Sequence, residues 1–125
     1  EKMEEKYDTV IGEKGVGLSG GQKQRISIAR SLAKHTPILV MDDSTSALDM
    51  ETEHMIQETL EKLTDTTKLI IAHQISAVKN ADEIMFLKDG MIKECGTHES
   101  LIELKGLYYE TYMAQYGIIL DRKEA

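Results

Sequence analysis

"PILVMDDSTSALD", residues 37–49, is the stretch whose reading decides the fold of this chain. Pro37 opens a short apolar run, Ile38 to Met41, that ends abruptly on two carboxylates, Asp42 and Asp43. A continuous apolar run of that length predicts a strand buried on both faces. Asp49 then has the place of a helix N-cap. Glu51 and Glu53 suit the positive end of that helix, and Ile56, Leu60 and Leu63 give it an apolar face up to about Thr64. "KLIIAH", residues 68–73, repeats the first pattern with His73 as the closing polar residue. Strand, helix and strand in this order predict a right-handed crossover between two parallel strands, so the fold class is α/β.

Upstream, "GVGLSGGQKQR", residues 15–25, opens another helix. Ser19 and Gln22 have the spacing of a capping box, and Ile26, Ala29, Leu32 and Ala33 recur at helical intervals up to about Lys34. A capping box leaves Gly20 and Gly21 unexplained, since two glycines in a first turn cost roughly 2 kcal/mol relative to alanine. A glycine pair at a helix N-terminus lets an anion approach backbone N–H groups where the helix already favours negative charge. Phosphate binding is the expected use. Downstream, "EIMFLKDGMIKECG", residues 83–96, predicts two strands around a tight Asp89-Gly90 turn, and the tail from Thr97 to Gln115 carries two helical patterns broken at Gly106.

Composition narrows the function. With 125 residues, 41% of them hydrophobic, the chain has material for one modest core and one domain. A formal net charge of -7 argues against a nucleic-acid surface, which neutralises many phosphates with Lys and Arg. Cys95 is the sole cysteine, so no intrachain disulfide forms and a reducing, cytoplasmic setting is expected. Apolar runs such as Ile38–Met41 and Leu69–Ala72 fall far short of the roughly 20 residues of a membrane span, and no signal peptide is evident, so the chain reads as a soluble piece.

The candidate chemistry lies at the strand ends. Open α/β sheets hold ligands outside the carboxyl ends of parallel strands, which is where Asp42, Asp43 and His73 are expected. A carboxylate there suits Mg²⁺, which keeps much of its water and takes few protein ligands. A second carboxylate can orient or deprotonate an attacking water, and His73 can contact a transferring phosphoryl group.

These residues, in this order, resemble the nucleotide-binding domains of the ATP-binding cassette (ABC) family. "LSGGQKQR" looks like the signature motif, "ILVMDD" like the Walker B strand, "SALD" like the D-loop and "IIAH" like the H-loop. "TVIGEKG", residues 9–15, resembles the X-loop of exporters, and the segment from Lys88 onward resembles the exporter-type C-terminus. The resemblance implies a partial P-loop NTPase (RecA-like) core with parallel strands, a C-terminal β-hairpin and the end of the ABC helical subdomain. It implies ATP and Mg²⁺ as ligands, with Ser19, Gly20, Gly21, Gln22 and Asp49 toward ATP, Asp42 toward the metal, and Asp43 and His73 as catalytic residues. Its partners are a second nucleotide-binding domain and a transmembrane domain, not nucleic acid, at the cytoplasmic face of the cell membrane.

Two departures qualify the resemblance. The phosphate-binding loop G-x-x-x-x-G-K-[ST], the adenine-stacking aromatic and the Q-loop are absent from the sequence, so residues 1–125 look like the C-terminal portion of one such domain. In the family, domains pair head to tail and the signature of one closes on ATP held by the other, which assigns this signature to a partner's phosphate. The family's phosphate-loop strand lies between the strands beginning "KLII" and "EIMF", so its removal leaves a gap in the sheet. Second, Asp43 stands where active members usually carry the glutamate general base. A carboxylate withdrawn by about 1 Å can cost about 100-fold in rate. Such a change is typical of the degenerate-site half of heterodimeric multidrug exporters. A soluble, non-transporting ABC ATPase and a noncatalytic interaction module are the alternatives.

Other residues read more plainly. His35, His54 and His98 are expected on the surface, with no partner at metal-ligand spacing. Tyr109, Tyr112, Met113 and Tyr116 form a helical stripe suited to packing, and Cys95 is expected to be inert.

Overall fold

A computed structural model describes residues 17–124, with side chains through Gly117. The acidic lead-in and the X-loop-like residues 9–15 lie outside the described residues. The elements are α1 (Gly20–Ala33), β1 (Ile38–Asp42), α2 (Met50–Glu61), β2 (Thr67–Ile71), a 3₁₀ turn (Ile75–Ala77), β3 (Ile84–Lys88), β4 (Met91–Gly96), α3 (His98–Leu104) and α4 (Leu107–Glu124). Every element read from the sequence is present, and α4 runs past the expected end at Gln115. Among the described residues no helix is long and apolar enough to cross a membrane.

Near their starts Thr67 N donates to Pro37 O at 2.9 Å, and near their ends Asp43 N donates to Ile71 O at 2.7 Å, so β1 and β2 run parallel. β3 and β4 form a separate antiparallel pair. The α/β class with a parallel pair and a C-terminal hairpin therefore holds. The expected burial of β1 on both faces does not. Leu39 and Met41 are buried, but Ile38 and Val40 are 61% and 55% exposed, and Leu69 and Ile71 on β2 are likewise exposed. A parallel strand is shielded from solvent on both faces only when elements cover both, and the described residues cover one.

The described residues divide into two compact units, residues 17–39 with 44–68, and residues 40–43 with 69–124. In the first, α1 buries Ile28 and α2 buries Leu60, while Lys68 Nζ donates to the carbonyls of Leu60 (2.7 Å) and Leu63 (3.1 Å) at the end of α2. A cation there satisfies terminal carbonyls and opposes the helix dipole. The buried face of α1 is not the expected one. Ile26, Ala29 and Ala33 are exposed, and the inward stripe is Gly21, Gln24, Ile28, Ser31 and Leu32. Apolar periodicity missed it because two of its members are a glycine and a glutamine.

In the second unit Ile75, Ile84, Leu101 and Tyr108 form the core, with Phe86, Tyr112 and Tyr116 packed against them. The hairpin turns at Asp89 (φ 53°) and Gly90 (φ 72°), the left-handed pair expected of a two-residue turn, and a register shift between Phe86 and Leu87 marks a bulge. Glu94 on β4 accepts from the Leu107 amide (2.6 Å) and the Tyr108 amide (3.0 Å), capping α4 with a carboxylate. The tyrosine stripe is Tyr108, Tyr112 and Tyr116 rather than one starting at Tyr109, and Met113 is exposed.

His98 departs from its surface expectation. Its Nδ1 lies 2.8 Å from the Tyr108 hydroxyl, and its ring meets Tyr108 and Tyr112 edge-on at 5.8 and 5.5 Å. Burial, with help from Glu99, pushes the Tyr108 hydroxyl up to about 12 from 10.0. A raised folded-state value means the Tyr108 contribution to stability is complete below pH 10 and is lost as pH rises through about 12. Ultraviolet titration is expected to show one late-ionising tyrosine that disappears in Tyr108→Phe; an unchanged titration curve would refute the assignment.

Candidate functional site

In the first unit the capping box is formed on both sides. Ser19 Oγ accepts from the Gln22 amide at 3.2 Å, and Gln22 Oε1 accepts from the Ser19 amide at 2.9 Å. Helix geometry leaves the Gly20 and Gly21 amides without an intrahelical acceptor. Ser19, Gly20 and Gln22 are exposed. The glycine pair, however, has two different reasons. A Cβ on Gly20 would meet only Ala47 Cβ at 3.6 Å, an ordinary contact, whereas a Cβ on Gly21 would lie 2.9 Å from the Ala47 carbonyl oxygen. Gly21 is thus required by close packing within the chain, while Gly20 keeps the open backbone that an anion needs.

The same contact carries a feature the sequence reading missed. Gln24, one turn along the inward stripe, donates from Nε2 to Ser46 Oγ at 3.0 Å and accepts from the Ala47 amide at 2.9 Å. The start of α1 and the "SALD" loop are therefore fastened together. A polar residue three positions after Gly21 and four before Ile28 was the available signal. Asp49 ends that loop as the N-cap of α2, accepting from the Thr52 amide (2.8 Å) and hydroxyl (2.9 Å). Those hydrogen bonds, the backbone one foremost, hold its carboxyl below the usual carboxylate range. The cap is complete above pH 3.8 and is lost as pH falls through the lower folded-state value.

In the second unit the end of β1 delivers Asp42 and Asp43 to the exposed C-terminal edge, as the strand reading required. Asp43 has φ 47°, a left-handed conformation that aspartate tolerates better than most residues, and its amide is held by Ile71 O. His73 does not end β2, which stops at Ile71. Beyond the strand end the His73 carbonyl accepts from Gln115 Nε2 of α4 at 2.8 Å. The His73 side chain is exposed.

Among the described residues no three His, Cys, Asp or Glu side chains are grouped to hold a metal ion. Asp42 and Asp43 offer hard oxygen donors at the strand end. That donor set fits Mg²⁺, which is commonly held by one or two carboxylates together with substrate phosphates and water, and does not fit a tightly caged ion. Cys95 is exposed, and its S–H donates to Glu83 Oε1 at 3.2 Å. That carboxylate, aided by desolvation, pushes the thiol up and disfavours the reactive thiolate, in keeping with the inert role expected.

Residues 1–46 match the sequence pattern of a family described as ABC transporter. Over 117 residues, 93% of this chain, the sequence is 51% identical to the ATP-dependent lipid A-core flippase of Escherichia coli (strain K12), and the flippase of Shigella flexneri matches equally. The chain spans 20% of the length of those relatives. A solved structure of a bacterial Atm1-family ABC exporter with ATP bound superposes with a TM-score of 0.87 at 42% identity, over 91% of this chain and 20% of that one.

Proposed function

We propose, since this chain belongs to the ABC transporter family, that it is the C-terminal portion of one exporter-type nucleotide-binding domain and that its signature completes an ATP site on a partner domain. The carrying observation is the start of α1: an exposed, capped helix N-terminus with an open Gly20. A helix N-terminus binds phosphate but does not by itself enclose a nucleotide. Ser19, Gly20, Gly21 and Gln22 are assigned to the partner's ATP, with Asp49 beside them on the loop tied to α1 through Gln24.

The parent protein, on this reading, couples ATP hydrolysis to export, with a transmembrane domain and the cytoplasmic face of the membrane as its setting. Mg²⁺ bound with ATP would neutralise phosphate charge, and Asp42 would hold it. Asp43 takes a proton from the attacking water as that oxygen bonds the terminal phosphorus and the bond to the leaving ADP oxygen breaks. His73 contacts the transferring phosphoryl group. The shorter reach of Asp43 makes this base weak, so the parent is read as the degenerate-site half of a heterodimer, whose LSGGQ serves the competent site. The exposed face of Val40, Leu69 and Ile71, and the separation of β1–β2 from β3–β4 into two sheets, support the missing-half reading.

ATP binding by the chain alone, and then mixed with a partner domain that carries a phosphate-binding loop, tests the proposal. The chain alone is expected to be silent. Mixed, it should tighten the partner's ATP affinity about tenfold, roughly 1.4 kcal/mol, the scale of one charge-assisted hydrogen bond. Ser19→Arg should remove that gain. Tight binding by the chain alone would overturn the shared-site reading.

A further inference from the structure

His73 lies in the short connection between β2 and β3, a segment with little regular structure of its own. Its 3₁₀ turn is closed by Ala77 N to Gln74 O at 3.3 Å and Val78 N to Ile75 O at 3.0 Å. What holds the segment comes from about 40 residues further along the chain. The Gln115 amide grips it on both sides of Gln74: Nε2 donates to His73 O at 2.8 Å, and Oε1 accepts from Ile75 N at 3.0 Å. One residue on, Tyr116 Oη accepts from Ser76 N at 3.1 Å. Successive backbone groups of one loop are thus satisfied by neighbouring side chains of one helix.

The helix that supplies them is itself well anchored. Glu94 holds the first amides of α4, Tyr108 is 1% exposed in the core, and the tilted rings of Tyr112 and Tyr116 meet with centroids 5.3 Å apart. On the loop side Ile75 and Ala77 are buried, which fixes the backbone two residues after His73, while the His73 side chain stays exposed. The backbone is immobilised around a side chain left open to solvent.

We infer that Gln115 and Tyr116 are positioning residues for ATP hydrolysis: they clamp α4 onto the backbone of residues 73–76 and so set where the His73 imidazole stands. This rests on the role proposed for His73 above. Neither residue touches substrate. A carbonyl and two amides released from this grip would exchange protein partners for water, and the segment carrying His73 would gain freedom at the position where a displacement of about 1 Å is worth about 100-fold in rate.

The test uses the intact transporter that contains this chain, with the partner's own site disabled so that turnover reports the site His73 serves. Gln115→Ala removes two hydrogen bonds made by an exposed side chain, so its thermal midpoint is expected to fall only slightly. Its kcat for ATP should fall about tenfold with KM changed less than about twofold, because the phosphate-holding residues are untouched. Hydrogen exchange at the Ile75 amide should rise. Gln115→Glu keeps an acceptor for Ile75 but cannot donate to the His73 carbonyl, so it should lose turnover while Ile75 stays protected. Tyr116→Phe keeps the packed ring and should release only the Ser76 amide.

His73→Ala separates the two levels of the argument. If it leaves turnover unchanged, the role of His73 has failed and this inference fails with it. If it lowers turnover while Gln115→Ala does not, the clamp alone is refuted. In the His73→Ala background Gln115→Ala should cost no further turnover, and an additive loss would mean a merely structural role and overturn the inference.

Discussion

Asp43→Glu in the intact transporter is expected to raise ATP turnover at the site that Asp43 serves, by up to about 100-fold. The added methylene carries the carboxylate about 1 Å or more toward the attacking water, and proton abstraction depends on hydrogen-bond reach before it depends on basicity. Asp43 sits at the exposed end of β1 with φ 47°, its amide fixed by the Ile71 carbonyl, so the backbone position is set by the strand pair and not by the side chain. The same geometry predicts a cost. Left-handed backbone is disfavoured by about 1–2 kcal/mol for L-residues generally, and aspartate escapes part of that penalty through its short polar side chain. The glutamate variant should therefore be faster and somewhat less stable. Site-resolved hydrolysis, with the partner's site disabled, is the measurement; an unchanged rate would remove Asp43 from the base position and with it the case for an unequal pair.

Leu101→Ala is expected to destabilise the second unit by about 2–5 kcal/mol. Leu101 is 1% exposed and lies in the cluster with Ile75, Ile84 and Tyr108, on a short helix held at its start by Thr97. Deleting its side chain opens a cavity between α3, α4 and the connection that follows β2, and α3 has too few turns to collapse into it. Four of the five tyrosines, Tyr108, Tyr109, Tyr112 and Tyr116, belong to this unit, and the chain has no tryptophan, so tyrosine fluorescence during denaturation reports on it selectively. A loss below about 1 kcal/mol would be too small for a side chain in a closed core, and would contradict the packing described.

The sequence was most legible where the signal is local. Ser19 and Gln22, three residues apart, specify a helix start that formed as read, and Asp49 with Thr52 specifies another. The Asp89-Gly90 turn needed only its two residues. The reading failed where a residue's partner is distant. His98 reads as a surface residue because no partner lies at metal-ligand spacing; its contact, Tyr108, is ten residues on. The apolar stripe on α1 was placed on the wrong face because Gly21 and Gln24, which carry no apolar signal, are the residues that pack against Ser46 and Ala47.

By itself, then, the sequence determined the order of elements, the α/β class and the motifs that identify the family, because helix caps, strand runs and tight turns are encoded by residues within a few positions of one another. Tertiary structure alone decided which glycine of the signature is left open, which face of α1 turns inward and what grips the loop of His73. Those outcomes depend on hydrogen bonds and close contacts between residues 22 to 42 positions apart, such as Gln24 with Ser46 and Gln115 with His73. Such pairs have no periodicity to read; they come into being only when packing brings the elements together.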